Sequence, residues 1–296
     1  MKSLMASKLT FLCILLFLFS LSKGDDTIKH LQGCKRGSKV QGLHQVKLYL
    51  ARFGYLNYQR TPDNVNPLQN DEFDEELEAA VKDYQSFYHL NATGTLDGPT
   101  ISQMLMPRCG RPDKGSSHNH ETKLLHIVSH YQFFPNSPRW PPSKSHLTYA
   151  FASNYPDIYV PPVVSAFNKW VSATKYFTFS RVDCVTSSDL KISWERGNHG
   201  DGEQNAFLPG TTIVAHAFPP TDGRFHYNAD QNWFIGASPN AIDVETVALH
   251  EIGHLLGLDH SQFENAIMWS YIPTGAVKGL DSDDIQGIQA LYGLNK

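Results

Sequence analysis

Three histidines and a glutamate close to residue 250 have the spacing of a metal site. His250 and His254 are one turn apart on a predicted helix, so both imidazoles can reach the same ion. Glu251 then lies beside that ion, where it can act as a general base on a metal-bound water. His260 follows Gly257, which can end the helix in a left-handed conformation and turn the chain back. Three neutral imidazoles leave one coordination position open, which is typical of a catalytic zinc.

The alternative interpretation is a core helix whose histidines have ordinary hydrogen-bond partners. It would bury three imidazoles and a carboxylate at defined spacing with no metal between them. The glycine and the third histidine also make a chance match far rarer than for the two-histidine pattern alone. We therefore predict a zinc-dependent hydrolase with Glu251 as its catalytic residue.

The N-terminus has the pattern of a secretory signal peptide. Lys2 and Lys8 precede an apolar run over 9–21, and small residues precede Asp25. A membrane anchor is the less favoured alternative, because the run is shorter than the roughly 20 residues that a span needs. We expect residues 1–24 to be removed and the protein to be secreted with no membrane or lipid anchor.

The composition describes a folded protein without a general attraction to polyanions. Of its 296 residues, 41% are hydrophobic and 12% are aromatic, which is enough for a substantial core. The net charge of -4 gives no broad electrostatic pull toward nucleic acid or anionic lipid. No nucleic-acid partner is therefore expected.

Hydrophobic periodicity divides the chain into a helical region and a mixed region. Three helices are predicted in the first, over 40–53, 75–88 and 100–106. Residues 112–123 form a polar linker, in which His118 and His120 could also be taken as a metal pair. Strands are predicted at 147–151, 177–181, 190–194 and 212–218, and helices at 162–174, 243–256 and 281–292. This order indicates an α+β or α/β layout with one sheet.

The metal motif and its surroundings resemble the matrixins, the matrix metalloproteinase branch of the metzincin clan. Met268 follows His260 by eight residues, like the methionine turn beneath the zinc of these enzymes, and Ser261 directly follows the third histidine. Astacins have Glu at that position, and adamalysins usually have Asp. Further matches are the propeptide-like bundle at 40–106, the cysteine-switch sequence at 107–113 and the closing helix at 280–293.

The resemblance implies an α+β fold, with a metzincin catalytic domain whose twisted mixed sheet carries three helices. A three-helix, peptidoglycan-binding-like propeptide domain would precede it. The implied boundaries are 25–130 for the propeptide and 131–296 for the catalytic domain, with the first mature residue near Tyr131. No hemopexin-like domain is expected, so the chain is most similar to the minimal plant enzymes and should act as a monomer.

The resemblance also implies how the enzyme is kept inactive. Cys109 would occupy the open zinc position as a thiolate, since zinc lowers the pKa of a thiol enough to deprotonate it. Arg108 and Asp113 are spaced to pair across the turn, as in the family. A disulfide at Cys109 is the alternative, which the flanking motif disfavours. The remaining pair, Cys34 and Cys184, could join the propeptide to the enzyme, and their pairing stays open.

A second, structural zinc site is implied by four matching residues. These are His199, Asp201, His216 and His226, whose four N and O donors suit a closed tetrahedral site, although they could instead be surface residues. The family also has a calcium site there, built on three carboxylates. The loop 206–210 contains no Asp, and Asn228 and Gln231 stand at the other two positions. Because calcium depends on anionic ligands, we expect that site to be empty or very weak.

Substrate contacts are implied for the strand above the zinc. Val214 and Ala215 lie on an expected sheet edge, which can bind an extended peptide as an added strand. Ser270–Ile272 replaces the Pro-x-Tyr of many matrixins in the wall of the specificity pocket, so the preferred side chain is open, with a large apolar one as the default. Asn91 begins a glycosylation sequon.

The sequence as a whole predicts a secreted zinc endopeptidase, made as a cysteine-switch zymogen. Its substrates would be extended segments of extracellular proteins in the cell wall or matrix, collagen included, and its own propeptide would be its inhibitor. Two zinc ions per catalytic domain are expected. The alternatives are an inactive scaffold that binds matrix or wall, and a metallohydrolase that acts on peptidoglycan.

Overall fold

The computed structural model describes residues 28–58, 66–114 and 130–294. The predicted signal peptide and the linker histidines, His118 and His120, lie outside the described residues. Among those that are described, no helix is both long enough and apolar enough to cross a membrane.

The first body is a bundle of three helices. Helix α1 spans Leu43–Arg52, α2 spans Glu75–Phe87 and α3 spans Gly98–Met104, close to the predicted bounds. Helices α2 and α3 begin at aspartates, Asp74 and Asp97, whose side chains accept hydrogen bonds from the first turn. Apolar faces at helical spacing form the core between the helices.

The second body is built on a six-stranded mixed sheet. Its strands are β1 (Arg108–Cys109), β2 (His146–Phe151), β3 (Thr178–Arg181), β4 (Leu190–Glu195), β5 (Ile213–Ala217) and β6 (Arg224–Asn228). Their order across the sheet is β1-β5-β6-β4-β2-β3, and β5 and β6 are the antiparallel pair. Strand β6 was not predicted, and neither was the small parallel pair of β7 (Trp233–Phe234) and β8 (Ile242–Asp243). Strand β6 is rich in polar residues, and β7 and β8 are only two residues long, so none of them has a clear apolar pattern.

Three helices complete the second body: α4 (Val160–Thr174), α5 (Val244–Leu255) and α6 (Ser282–Tyr292). Helix α4 packs across α5, and the Trp170 indole donates to the Leu249 carbonyl at 3.0 Å. Helix α5 is buried along nearly its whole length. A helix enclosed in this way holds its side chains in fixed positions, which a metal site requires.

The two bodies share one hydrophobic cluster. Phe207, Ile213, Trp269 and Tyr271 of the second body pack with the core of the bundle. The short strand β1 directly follows the bundle in the chain, yet it forms part of the sheet of the second body. The bundle therefore packs against the second body at Ile213, where β5 begins.

Candidate metal centre

Helix α5 and the turn after it bring the three predicted histidines together. The ring centroids of His250 and His254 lie 4.8 Å apart on one face of the helix. His260 is 5.4 Å and 4.9 Å from those two rings. Gly257 makes this return possible, because its φ is +104° and a Cβ there would lie 2.5 Å from the Pro138 carbonyl oxygen.

The outer nitrogen of each imidazole has an oxygen partner. The contacts are His250 Nδ1 to Ile267 O at 2.7 Å, His254 Nδ1 to Leu258 O at 2.8 Å, and His260 Nδ1 to Asp113 Oδ1 at 2.9 Å. A partner on Nδ1 leaves the Nε2 lone pair free for a metal. Burial lowers the pKa of His250 and of His254 well below the usual range, so both rings are neutral.

The Nε2 atoms converge with the sulfur of Cys109. Ligand atoms of Cys109, His250, His254 and His260 all lie within 4.8 Å of one another, and Cys109 Sγ is 3.5 Å from His254 Nε2. Nε2 of His250 and Nε2 of His260 are buried without a hydrogen-bond partner. Three imidazoles and one thiol fit a tetrahedral zinc ion, which would pair these nitrogens.

Glu251 lies beside this centre with a fully buried carboxyl group. Neither of its oxygens has a hydrogen-bond partner. Burial raises its pKa to about 8. Burial also raises the pKa of the Cys109 thiol well above the usual range, and the nearby Glu251 raises it further. A cation between them would favour the ionised form of both groups.

Met268 lies directly beneath the helix that carries the histidines. A Cβ placed on Gly253 would be 2.2 Å from Met268 Sδ, so only glycine allows this approach. The Asp284 carboxylate accepts hydrogen bonds from the backbone N–H groups of Ile267 at 2.8 Å and Met268 at 3.1 Å. These bonds hold the turn that presents the Ile267 carbonyl to His250.

Arg108 and Asp113 form a fully buried ion pair next to the metal centre. Arg108 Nη2 donates to Asp113 Oδ1 at 2.7 Å. The hydroxyls of Tyr55 and Tyr88 donate to the other oxygen at 2.8 Å and 2.6 Å. Burial alone would raise the pKa of Asp113, but Arg108 and the hydrogen bond to His260 hold it well below the usual range.

Strand β1 occupies the position expected for a bound peptide. It lies parallel to β5, with Arg108 N donating to Thr212 O at 2.9 Å and Gly110 N donating to Ala215 O at 2.8 Å. On its other side, Cys109 N donates to Ser270 O at 2.9 Å. Val214 and Ala215 are fully buried in this arrangement. Without β1, β5 would be the outermost strand of the sheet.

The second predicted zinc set also comes together. His199 Nε2, His216 Nε2 and His226 Nε2 lie 3.3 Å, 3.0 Å and 3.2 Å from one oxygen of Asp201. Burial lowers the pKa of His216 to about 3. Three imidazoles and a carboxylate fit a closed zinc site, although Arg224 pairs with the other oxygen of Asp201.

Several contacts at the centre were missed by sequence reasoning. The Tyr271 hydroxyl lies 2.8 Å from that of Tyr49 and 2.6 Å from that of Tyr84. Tyr88 contacts Ser270 Oγ at 2.8 Å. Aromatic residues at helical spacing in the bundle indicated only a core, and their hydroxyl groups were the available signal for a polar interface.

The two remaining cysteines of the described chain are not joined. Cys34 is buried in the bundle and Cys184 is exposed on the second body, both as free thiols. The pairing that the sequence left open is therefore absent from this structure. Asn91 lies exposed on the bundle.

Comparison with known proteins agrees with this geometry. The family model described as Matrixin matches residues 139–293, and one described as a peptidoglycan binding domain matches residues 39–104. The chain belongs to the matrixin family. This matrixin is 41% identical to Metalloendoproteinase 2-MMP of Arabidopsis thaliana over 293 residues, covering 91% of this chain and 75% of the relative.

Two further relatives extend the comparison to other organisms. The matrixin is 40% identical to Metalloendoproteinase 1 of Glycine max, over 88% of this chain and 84% of the relative. It is 37% identical to human Matrilysin, over 84% of this chain and 85% of the relative. The predicted family, fold and enzyme class are thus confirmed. The protein is a zinc metalloendopeptidase whose catalytic domain follows a peptidoglycan-binding-like helical domain.

Proposed function

We propose that this matrixin is secreted as a zymogen in which Cys109 blocks the catalytic zinc, and that Glu251 is the general base of the active enzyme. The observation that carries the proposal is the convergence of one buried sulfur and three imidazoles beside an unpartnered buried carboxyl group. In this assignment, residues 1–24 are the signal peptide, 25–130 the propeptide and 131–296 the catalytic domain.

The catalytic groups divide the work of peptide hydrolysis. His250, His254 and His260 would hold a zinc ion, which would supply the Lewis acidity for peptide hydrolysis. Glu251 accepts the proton of the attacking water and passes it to the leaving amine. Burial raises the pKa of Glu251 and a bound zinc ion would lower it, so the two effects oppose each other at the group that takes and returns the proton.

Substrate would bind along β5 after the propeptide leaves. Thr212 O and Ala215 O, which accept hydrogen bonds from the switch segment here, would accept them from an extended peptide. Val214 and Ala215 form the strand that aligns this peptide over the centre. Met268 supports the ring of His250 from below through the turn that it shares with Ile267.

Latency depends on three residues of the switch segment. Cys109 would hold the zinc together with the three histidines, in the place that water needs for hydrolysis. The buried pair of Arg108 and Asp113 fixes the turn around the thiol, and the propeptide thereby inhibits its own enzyme.

A second zinc would stabilise the catalytic domain, which gives two zinc ions in all. Its ligands would be His199, Asp201, His216 and His226. Calcium binding is weak or absent in this proposal, because amides replace two acids of the family site. Exposed Asn91 is available for glycosylation.

The proposed setting is the cell wall or extracellular matrix, where the enzyme acts as a monomer on extended proteins, collagen included. The net charge of -4 supports protein substrates over nucleic acid.

Glu251→Gln tests the assigned base. We expect the variant, freed of residues before Tyr131, to retain zinc but to cleave peptides at least about 100-fold more slowly, because it cannot accept a proton. Zinc content by elemental analysis and hydrolysis of a peptide library are the measurements. Glu245→Gln is the matched control, since Glu245 lies on α5 but pairs with Lys169 away from the centre.

Two outcomes would contradict the proposal. Unchanged hydrolysis by Glu251→Gln would exclude Glu251 as the base. Absence of zinc from the parent protein would exclude the metal centre. An inactive parent that binds zinc and cell-wall material would instead support the scaffold alternative.

A further inference from the structure

Two carboxamides lie where the family resemblance places acidic ligands of a calcium ion. Asn228 ends β6 and Gln231 follows three residues later. Asn228 is buried and Gln231 is half-buried. The side chains of both residues contact the backbone at the beginning of β5.

The two amides donate hydrogen bonds to backbone carbonyls there. Asn228 Nδ2 is 2.7 Å from Ile213 O. Gln231 Nε2 is 2.9 Å from Thr211 O and 3.2 Å from Ile213 O. The ladder between β5 and β6 covers only Ala215–Ala217 on the β5 side. The side-chain amides therefore supply the donors that these two carbonyls do not obtain from the ladder.

A further contact sets the orientation of the Asn228 amide. Asn228 Oδ1 accepts a hydrogen bond from the backbone N–H of Asp230 at 3.0 Å. The amide nitrogen is therefore the atom that faces Ile213 O, as the hydrogen-bond network requires. Asn228 is held from its backbone as well, because its carbonyl accepts from the Trp233 indole at 2.8 Å.

Carboxylates in the same two places would create a different site. Two backbone carbonyls and two carboxylates would then face one another, and this group of oxygens would need a cation between them. In this protein, side-chain N–H groups bind the two carbonyls in place of a cation. The loop 206–210 contributes no acidic ligand, because it contains no Asp or Glu. Asp230, which lies between the two amides in the sequence, pairs with Arg196. The residues present do not fit a calcium ion.

We propose that the carboxamides of Asn228 and Gln231 replace a calcium ion as the link that holds the beginning of β5. The two carbonyls that they hold flank Thr212, whose carbonyl accepts the Arg108 N–H at 2.9 Å. Asn228 and Gln231 are thus positioning residues for the strand edge that receives the switch segment and, under the proposed function, the substrate. The hold on β5 is independent of zinc-catalysed hydrolysis, so either proposal can fail without the other.

Asn228→Asp/Gln231→Glu tests the replacement in the full chain carrying Glu251→Gln, which prevents self-cleavage. Thermal unfolding is measured at fixed zinc concentration, in buffer depleted of calcium and again with about 5 mM calcium, which exceeds the dissociation constants of weak extracellular sites. We expect the parent to have the same Tm in both buffers. The double variant should unfold about 5–10 °C lower without calcium, because it loses donors and sets like charges against carbonyls. Addition of calcium should raise the Tm of the double variant back to that of the parent.

The control is Asn168→Asp/Gln286→Glu, which makes the same charge change at exposed positions on α4 and α6. Its Tm should not depend on calcium. If the double variant cannot be obtained folded, Gln231→Glu alone gives the same comparison at a half-buried position, with a smaller shift.

Three results would overturn the replacement. In the first, calcium raises the Tm of the parent by several degrees, so a calcium site persists. In the second, the double variant is as stable as the parent without calcium, so the amides do not hold the strand. In the third, the double variant is destabilised and calcium does not raise its Tm, so the amides stabilise the strand but do not replace a cation.

Discussion

The Nδ1 atom of each imidazole in the metal centre has an oxygen as its hydrogen-bond partner. For His260 that oxygen belongs to Asp113, in the segment before the catalytic domain. Asp113 accepts from His260 and at the same time pairs with Arg108. Departure of this segment would remove the outer partner of one proposed zinc ligand and leave its Nδ1 to another acceptor. The spacing of the histidines predicted their convergence, but the partner of His260 lies in a distant part of the chain, which no local pattern indicates.

The three described cysteines should differ sharply in reactivity. Cys184 is exposed, and hydrogen bonds from Ser187 and Thr186 lower its pKa to about 7, so much of it is thiolate near neutral pH. Cys109 and Cys34 are buried. Iodoacetamide at pH 7.5 should therefore label Cys184 first, as followed by peptide mass spectrometry, and label the other two only after unfolding.

Cys184→Ser is the control for this labelling, and it should abolish the fast phase while leaving the slow phase unchanged. Labelling of Cys109 in the folded zymogen as fast as that of Cys184 would contradict the buried position of the switch.

Helix α5 combines a metal-binding face with a glycine that sits against the methionine turn. The histidine spacing and the helix bounds followed from the sequence, because both are local properties of a 3.6-residue repeat. The sequence did not predict the need for glycine at 253, because that need arises from contact with Met268, which comes from another part of the chain. Strand β6 was missed for a similar reason: only its neighbours in the sheet stabilise so polar a segment.

Gly253→Ala should destabilise the protein although alanine favours helices. The helix preference contributes about 1 kcal/mol in favour of alanine. Its Cβ would meet Met268 Sδ at 2.2 Å in a closely packed core, and such overpacking costs about 1–3 kcal/mol. We expect a net loss in the free energy of unfolding, measured by urea denaturation, together with weaker retention of zinc against a chelator.

Gly98→Ala is the matched control, because a Cβ at that helical position meets nothing closer than 3.5 Å. It should be neutral or stabilising. Equal stability of Gly253→Ala and the parent would show that Met268 can move aside at little cost.

The two bodies of the molecule are joined by a tyrosine-rich interface as well as by the switch segment. Tyr271, in the wall that follows Met268, contacts the hydroxyls of Tyr49 on α1 and Tyr84 on α2. Its ring also lies 5.0 Å from that of Tyr88. The wall of the proposed specificity pocket is therefore part of the surface that the bundle covers.

Tyr271→Phe should weaken the hold of the bundle on the second body. Loss of the Tyr271 hydroxyl removes the partner of the buried Tyr84 hydroxyl and leaves the half-buried Tyr49 hydroxyl with Arg108. An unpaired buried hydroxyl costs about 1–3 kcal/mol. In the Glu251→Gln background, with the chain cut by an added protease within 115–129, the fragment containing the bundle should dissociate about tenfold or more faster. Size-exclusion chromatography over time measures this rate.

Tyr149→Phe, a buried change in the second body away from the interface, should leave the rate unchanged. An unaltered rate in Tyr271→Phe would mean that the hydroxyl contacts add nothing to the hold of β1 on the sheet.

The sequence by itself determined the histidines and glutamate of the metal centre, the helices that carry them and the family, because all of these depend on local spacing. Only the tertiary structure decided which atoms contact and orient those residues. Asp113 behind His260, the amides that hold β5 and the tyrosines around Tyr271 are contacts between segments far apart in the chain. Such contacts depend on the path of the whole backbone, and the residue types involved are compatible with many other partners.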